Sequence, residues 1–176
     1  MKSLFIGGVK SGKSLLAEQY TKDLCTAKKL TKPVYLATSE FTDSEMLKRI
    51  SLHQEQRKNL FITIEEPVAI VQTISQLEPN QVILIECITM WLNNMLYHNY
   101  SHSYIYEQLQ LLLKLPQQLV FVLNDVGGGI IPDNALAREF IDLSGKSSQL
   151  LAVGCQQVFF CIAGIKQQLK PSLPVC

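Results

Sequence analysis

Charge of one sign is what this sequence lacks most plainly. Sixteen Lys and Arg stand against 15 Asp and Glu, a formal net charge of +1. Without a surplus there is no chain-wide field to hold nucleic acid or an anionic membrane, so any polyanion must be bound by local structure. Long apolar runs are missing too. Stretches such as QLLLKL and VFFCIAGI stop far short of the roughly 18–20 residues that cross a bilayer. The N-terminal MKSLFIGG turns into glycine before a secretory signal is built. These absences predict a cytoplasmic protein that neither inserts into a membrane nor binds nucleic acid. The five cysteines, at 25, 87, 155, 161 and 176, show neither CxxC nor Cys/His zinc spacing, so most are expected to be core thiols. Repeats and low-complexity tracts are absent as well.

What is present is a chain of 176 residues, 47% hydrophobic, long enough for one well-buried domain. Short β-type runs alternate with helical patterns, the signature of a parallel sheet flanked by helices. Strands are predicted over 3–7, 34–39, 60–66, 81–86, 118–125 and 157–164. Helices are predicted from Ser14, over 42–58, 67–77, 88–98 and 104–115, and from about Pro132 and Asp133. Thr42 and Glu45 stand at capping-box spacing. The continuous VILIE run ending at Glu86 suggests a central strand. The expectation is an α/β fold, a mostly parallel sheet with helices on both faces, in one domain over 1–170 with a loosely held tail at 171–176.

Directly after the first strand stands GGVKSGKS: Gly7, Gly8, Val9, Lys10, Ser11, Gly12, Lys13 and Ser14. A glycine loop between a strand and a helix lets several N–H groups face one anion, and the helix adds its positive end. Lys13 would neutralise phosphates and the Ser14 hydroxyl would hold Mg²⁺. A carboxylate at a neighbouring strand end should accompany that ion. Glu86 and Asp125 both qualify; the more continuously apolar strand favours Glu86. Farther along, Glu45, Arg49, His53 and Arg57 fall four apart, one polar stripe on a helix. Spacing alone fits a row of solvated ion pairs as well as a nucleotide contact.

The motifs in order carry more. GGVKSGKS, VYLATSE, DSEMLKRISLHQEQR, ITIEEP, LIECITMWLNNML, LNDVGGGIIPDNALAREFIDLSGKSSQLLA and VFFCIAGIKQQLK together resemble the bifunctional adenosylcobinamide kinase and adenosylcobinamide-phosphate guanylyltransferase family of cobalamin biosynthesis. The resemblance runs from about residue 4 to 170. It implies a phosphate-loop NTPase-like (RecA-like) fold, a homotrimer, GTP and ATP as co-substrates with Mg²⁺, and adenosylcobinamide and its phosphate as the other substrates. It makes His53 the site of a covalent GMP, with Lys13 as the second catalytic residue. Nucleotide contacts are implied along Gly7 to Ser14, at Thr38, Ser39 and Glu40, at Gln54, Glu55, Gln56 and Arg57, and at Glu65 and Glu86; the metal side falls to Ser14 and Glu86.

Some positions depart from the family pattern. Val9-Lys10 replaces the common Ala-Arg, keeping charge but losing a planar guanidinium fork. Leu52 stands where some relatives carry a second histidine, Asp125 where Glu is common, and Phe61, expected to remain a packing position, where Trp is usual. His98 and His102 fall in a polar connection expected at the surface. Trp91, Met90, Met95 and Leu96 are expected in core or subunit interface, the alternative being corrinoid contact. Gly127 to Gly129 reads as an anion nest or a hinge. Two other functions fit the phosphate loop by itself: a different small-molecule or nucleoside kinase, in which His53 is a surface residue, and a nucleotide-binding regulatory module.

Overall fold

The computed structural model describes residues 1–30, 32–40 and 59–171. The helix expected over 42–58, with Thr42, Glu45, Arg49, His53, Gln54, Glu55, Gln56 and Arg57, lies outside the described residues, as does the chain beyond 171. In chain order the elements are β1 (Lys2–Gly7), α1 (Lys13–Ala27), β2 (Val34–Ala37), β3 (Ile62–Glu65), α2 (Ile70–Ser75), β4 (Val82–Glu86), α3 (Ile88–Tyr97), α4 (His102–Lys114), β5 (Gln118–Asn124), α5 (Ala135–Gly154), β6 (Gln157–Ile162) and β7 (Ile165–Lys170).

Alternation along the strands sets the architecture. On β5, Leu119, Phe121 and Leu123 join one apolar cluster, while Val120 and Val122 join another, because successive side chains of a strand point to opposite faces. Leu4 and Phe5 of β1 divide the same way, as do Ile83 and Leu84 of β4. Strands buried on both faces need helices on both. α1 covers one face with Ala17, Leu16, Tyr20 and Leu24; α2 to α5 supply the other, through Ile74, Trp91, Leu112 and Leu143 among others. The strand order is β3-β2-β4-β5-β1-β6-β7. All neighbours pair in parallel except β6 and β7, which run antiparallel. The α/β class and mostly parallel sheet expected from sequence are therefore present, and β4 lies inside the sheet.

Trp91 and Met95 are core residues, at 0% and 1% exposure, and Met90 and Leu96 pack partly buried against the two clusters. The Trp91 indole Nε1 donates to the Val68 carbonyl at 2.9 Å. Leaving that buried donor unpaired would cost about 1–3 kcal/mol. Phe61 is buried and meets the Tyr35 ring edge-on at 5.7 Å, the packing position expected of it. Cys25, Cys87, Cys155 and Cys161 are all buried free thiols.

Several boundaries differ from the sequence expectation, β2 and β3 being shorter than 34–39 and 60–66 among them. The run over 157–164 predicts one strand, but the chain reverses at Ala163 and Gly164, both at positive φ (53° and 77°), the two-residue turn that suits a hairpin. β7 follows, with Ile165 and Leu169 largely exposed, so apolar alternation could not announce it. α2 is shorter than 67–77 at both ends, and just ahead of it the Glu66 carboxylate takes the N–H groups of Val68 and Ala69, at 2.8 and 2.7 Å. α4 begins two residues earlier than expected, capped by the Ser101 hydroxyl on the Tyr104 N–H. This puts His102 on the helix, 3.0 Å from Glu139, while His98 follows α3 as its C-cap, 2.9 Å from Glu40. α5 starts after Asn134, whose Oδ1 accepts from the Ala137 N–H at 3.2 Å.

Candidate active site

β1 ends at Gly7, and α1 begins at Lys13, with only residues 8–12 between them. The N-cap of α1 is Gly12, which offers no side-chain acceptor, and no acid stands in the first turn. By contrast, α3, α4 and α5 each carry a side-chain cap, from Cys87, Ser101 and Asn134. An uncapped helix start presents orphan N–H donors and the positive end of the helix dipole, which an anion satisfies. Lys13 lies over the same loop. The residue is 6% exposed, and its Nζ donates to the Gly8 carbonyl at 3.2 Å. The loop is tightened by the Ser11 N–H bonding the Gly8 carbonyl at 3.2 Å. Val9 and Lys10 form its exposed tip, with Lys10 at φ 59°.

The β6–β7 turn holds the loop from outside. The Gly164 N–H donates to the Ser11 carbonyl at 2.9 Å. A Cβ on Gly12 would lie 2.9 Å from the Gly164 Cα, and one on Gly7 would lie 2.3 Å from the Cys161 carbonyl oxygen. Both glycines thus answer to close approach, and Gly12, at φ 87°, also to backbone conformation. Gly12→Ala is expected to lower stability by about 1–2 kcal/mol from the left-handed φ alone, with further loss as Gly164 is displaced. Thermal unfolding should show a drop of several degrees, and a GTP titration should show weaker binding. An unchanged dissociation constant would mean that this contact does not shape the site.

Of the two candidate acids, Glu86 is the one joined to the loop. The Ser14 hydroxyl donates to Glu86 Oε1 at 2.7 Å, across the end of β5, which separates β4 from β1. Asp125 is placed beside the loop by its backbone, its N–H donating to the Gly7 carbonyl at 3.0 Å. Its carboxylate instead accepts the Gly127 N–H at 3.2 Å, and Gly127 to Gly129 are exposed. Among the described residues no group of three or more His, Cys, Asp and Glu is arranged to hold a metal ion.

Thr38, Glu65 and Glu86 come from neighbouring strands whose ends are level, since Ala37 pairs in register with both Glu65 and Glu86. Thr38 is fully buried. Its hydroxyl donates to the Cys87 carbonyl at 2.8 Å and accepts the Cys87 N–H at 2.9 Å, so it fixes the residue that follows Glu86. Asn94, which sequence reasoning did not single out, extends this network: its Nδ2 donates to the carbonyls of Thr38 (2.7 Å) and Pro67 (3.0 Å). A buried Asn in an apolar helix was the available signal. Ser39 and Glu65 are exposed, and Glu40 is half-buried beside His98.

Burial pushes the Cys87 thiol up to about 12, with the Glu86 charge adding to the effect and Lys13 opposing it. Cys155 is likewise pushed up to about 12, chiefly by burial. Neither is a nucleophile near neutrality. The sign of the linkage follows. Below the ordinary value of 9.0 both thiols are neutral whether folded or unfolded. Above it the unfolded thiols lose protons that the folded ones retain, so stability falls as pH rises from about 9 to about 12. Urea unfolding across that window should show the decline; a flat profile would contradict the assigned burial.

A strand, glycine loop and helix with a buried lysine, an uncapped helix start and a serine paired to a strand-end carboxylate define a phosphate-loop nucleotide-binding protein of the α/β class. A family model described as "Cobinamide kinase / cobinamide phosphate guanyltransferase" matches residues 3–169. The chain belongs to that family and is an enzyme of it. It is similar to the "Bifunctional adenosylcobalamin biosynthesis protein CobP" of Pseudomonas aeruginosa, 34% identical over 174 residues, covering 97% of this chain and 98% of that protein. It is also similar to proteins named "Bifunctional adenosylcobalamin biosynthesis protein CobU" from Escherichia coli and Salmonella typhimurium. These are 32% and 33% identical, each match covering 97% of this chain and 100% of the relative.

Proposed function

We propose that the protein phosphorylates the aminopropanol hydroxyl of adenosylcobinamide with ATP or GTP, and then transfers GMP from GTP to the product. The observation that carries the first half is the Ser14–Glu86 contact beside a buried Lys13 on the phosphate loop. The acceptor hydroxyl oxygen attacks the γ-phosphorus, the bond to the β-phosphate oxygen breaks, and the alcohol proton leaves to solvent. Loop amides and Lys13 hold the charge that develops on the departing oxygens. Mg²⁺ fits the donors present, two hard oxygens on Ser14 and Glu86, and when bound would neutralise the phosphates.

The second half rests on family membership and on His53. A neutral imidazole nitrogen attacks the α-phosphorus of GTP and pyrophosphate leaves. A phosphate oxygen of adenosylcobinamide phosphate then displaces the imidazole, giving adenosylcobinamide-GDP and free His53. Nucleotide contacts along Gly7 to Ser14, at Thr38, Ser39 and Glu40, at Gln54 to Arg57 and at Glu65 and Glu86 belong to the same reading, as do a homotrimer and a cytoplasmic setting. No helix among the described residues is long and apolar enough to cross a membrane.

Incubation of the purified protein with adenosylcobinamide, ATP and GTP, followed by chromatography, tests the reading. Adenosylcobinamide phosphate should appear first and adenosylcobinamide-GDP second. Phosphorylation without the second product would leave a simple kinase, and nucleotide binding without either product would leave a regulatory module.

A further inference from the structure

A second concavity opens at the same sheet edge, on the face opposite α1. It is a cavity of about 330 Å³ between the end of β5, the segment through Gly127 and the middle of α5. Ile6 and Leu123 give it an apolar floor. Its mouth adjoins the phosphate loop, since the Asp125 N–H that borders it is bonded to the Gly7 carbonyl at 3.0 Å. Ligands of open α/β sheets sit outside the carboxyl ends of the strands, and a pocket of this size has room for an arm of a larger molecule.

Three features say what that arm carries. Asn124 lines the cavity, and its Oδ1 is buried with no hydrogen-bond partner among the described residues; a buried acceptor of this kind calls for an N–H or O–H donor. The other polar lining comes largely from neutral groups, Ser144, Ser148 and Gln149. The charged lining residues are Asp125, Asp142 and Lys146, two acids against one base, which does not suit another phosphate. The third feature is Gly145, in the middle of α5 and facing the cavity. A Cβ there would meet nothing within 4 Å. Glycine weakens a helix interior relative to alanine, and nothing in the packing of the described residues requires it here.

We infer that this cavity receives an uncharged, amide- and hydroxyl-bearing arm of the phosphate acceptor, with Asn124 accepting from it and Gly145 leaving room for it. This rests on the kinase reading above. The test is Gly145→Leu, which fills the cavity while improving helix propensity. The Michaelis constant for adenosylcobinamide should rise at least about tenfold, the range expected for a blocked substrate contact, with GTP affinity and the melting temperature held or raised. Gln149→Leu, at an exposed lining residue, should give a smaller rise of about threefold and carries the test should the first variant fail to fold. An unchanged Michaelis constant in a folded variant overturns the inference and leaves the kinase reading intact. A parallel loss of GTP affinity also overturns it, since the cavity would then act through the loop. Failure of the wild-type protein to phosphorylate adenosylcobinamide removes the kinase reading, and the inference with it.

Discussion

His53→Ala should abolish the protein-bound GMP formed from α-labelled GTP and reduce guanylyl transfer by at least about 10³-fold, while phosphorylation of adenosylcobinamide continues. The split follows from the chemistry. Attack at the γ-phosphorus needs positioning and charge neutralisation, which the loop supplies; a two-step transfer at the α-phosphorus needs a nucleophile of the protein's own. A phosphoramidate label would be lost in acid and kept in alkali, because protonated nitrogen is the better leaving group. Label surviving in the alanine variant, or equal loss of both activities in a folded variant, would remove His53 from this role.

Lys13→Ala should cost both activities about 10²- to 10³-fold, the scale on which a single preorganised charge contact acts. Lys13 is 6% exposed and its Nζ donates to the Gly8 carbonyl, so a solvated neighbour would have to be desolvated to take its place. Lys13→Arg should recover little, since a planar guanidinium is longer and bulkier than the ammonium it would replace in a buried setting. Initial rates of each half-reaction, with thermal unfolding as a check on folding, decide the matter. Kinase activity within tenfold of wild type in Lys13→Ala would mean that the phosphates are held elsewhere.

The sheet was legible because its interior strands are apolar on both faces. Val82 to Ile85 are fully buried, and a run of that kind has few other places to go. The phosphate loop was legible for a different reason: glycine, lysine and serine at fixed spacing leave little choice of chemistry. Sequence could favour Glu86 over Asp125 only by strand continuity, because both end apolar strands; that the Ser14 hydroxyl bonds Glu86 is a long-range contact no local pattern announces. The hairpin beyond Gly164 was illegible for lack of apolar contrast, with Ile165, Lys166 and Gln167 all exposed. The polar network around Thr38, Cys87 and Asn94 depends on residues far apart in sequence, which no local pattern encodes.

The grip of Gly164 on Ser11 has a consequence for how the protein is made. The turn that closes over the phosphate-binding motif is translated well after it, with most of the sheet and helices coming between. A nascent chain halted before that turn would hold every residue of the motif and still lack the partner that fixes its shape. Competence to take up nucleotide is thereby deferred until that turn has been made.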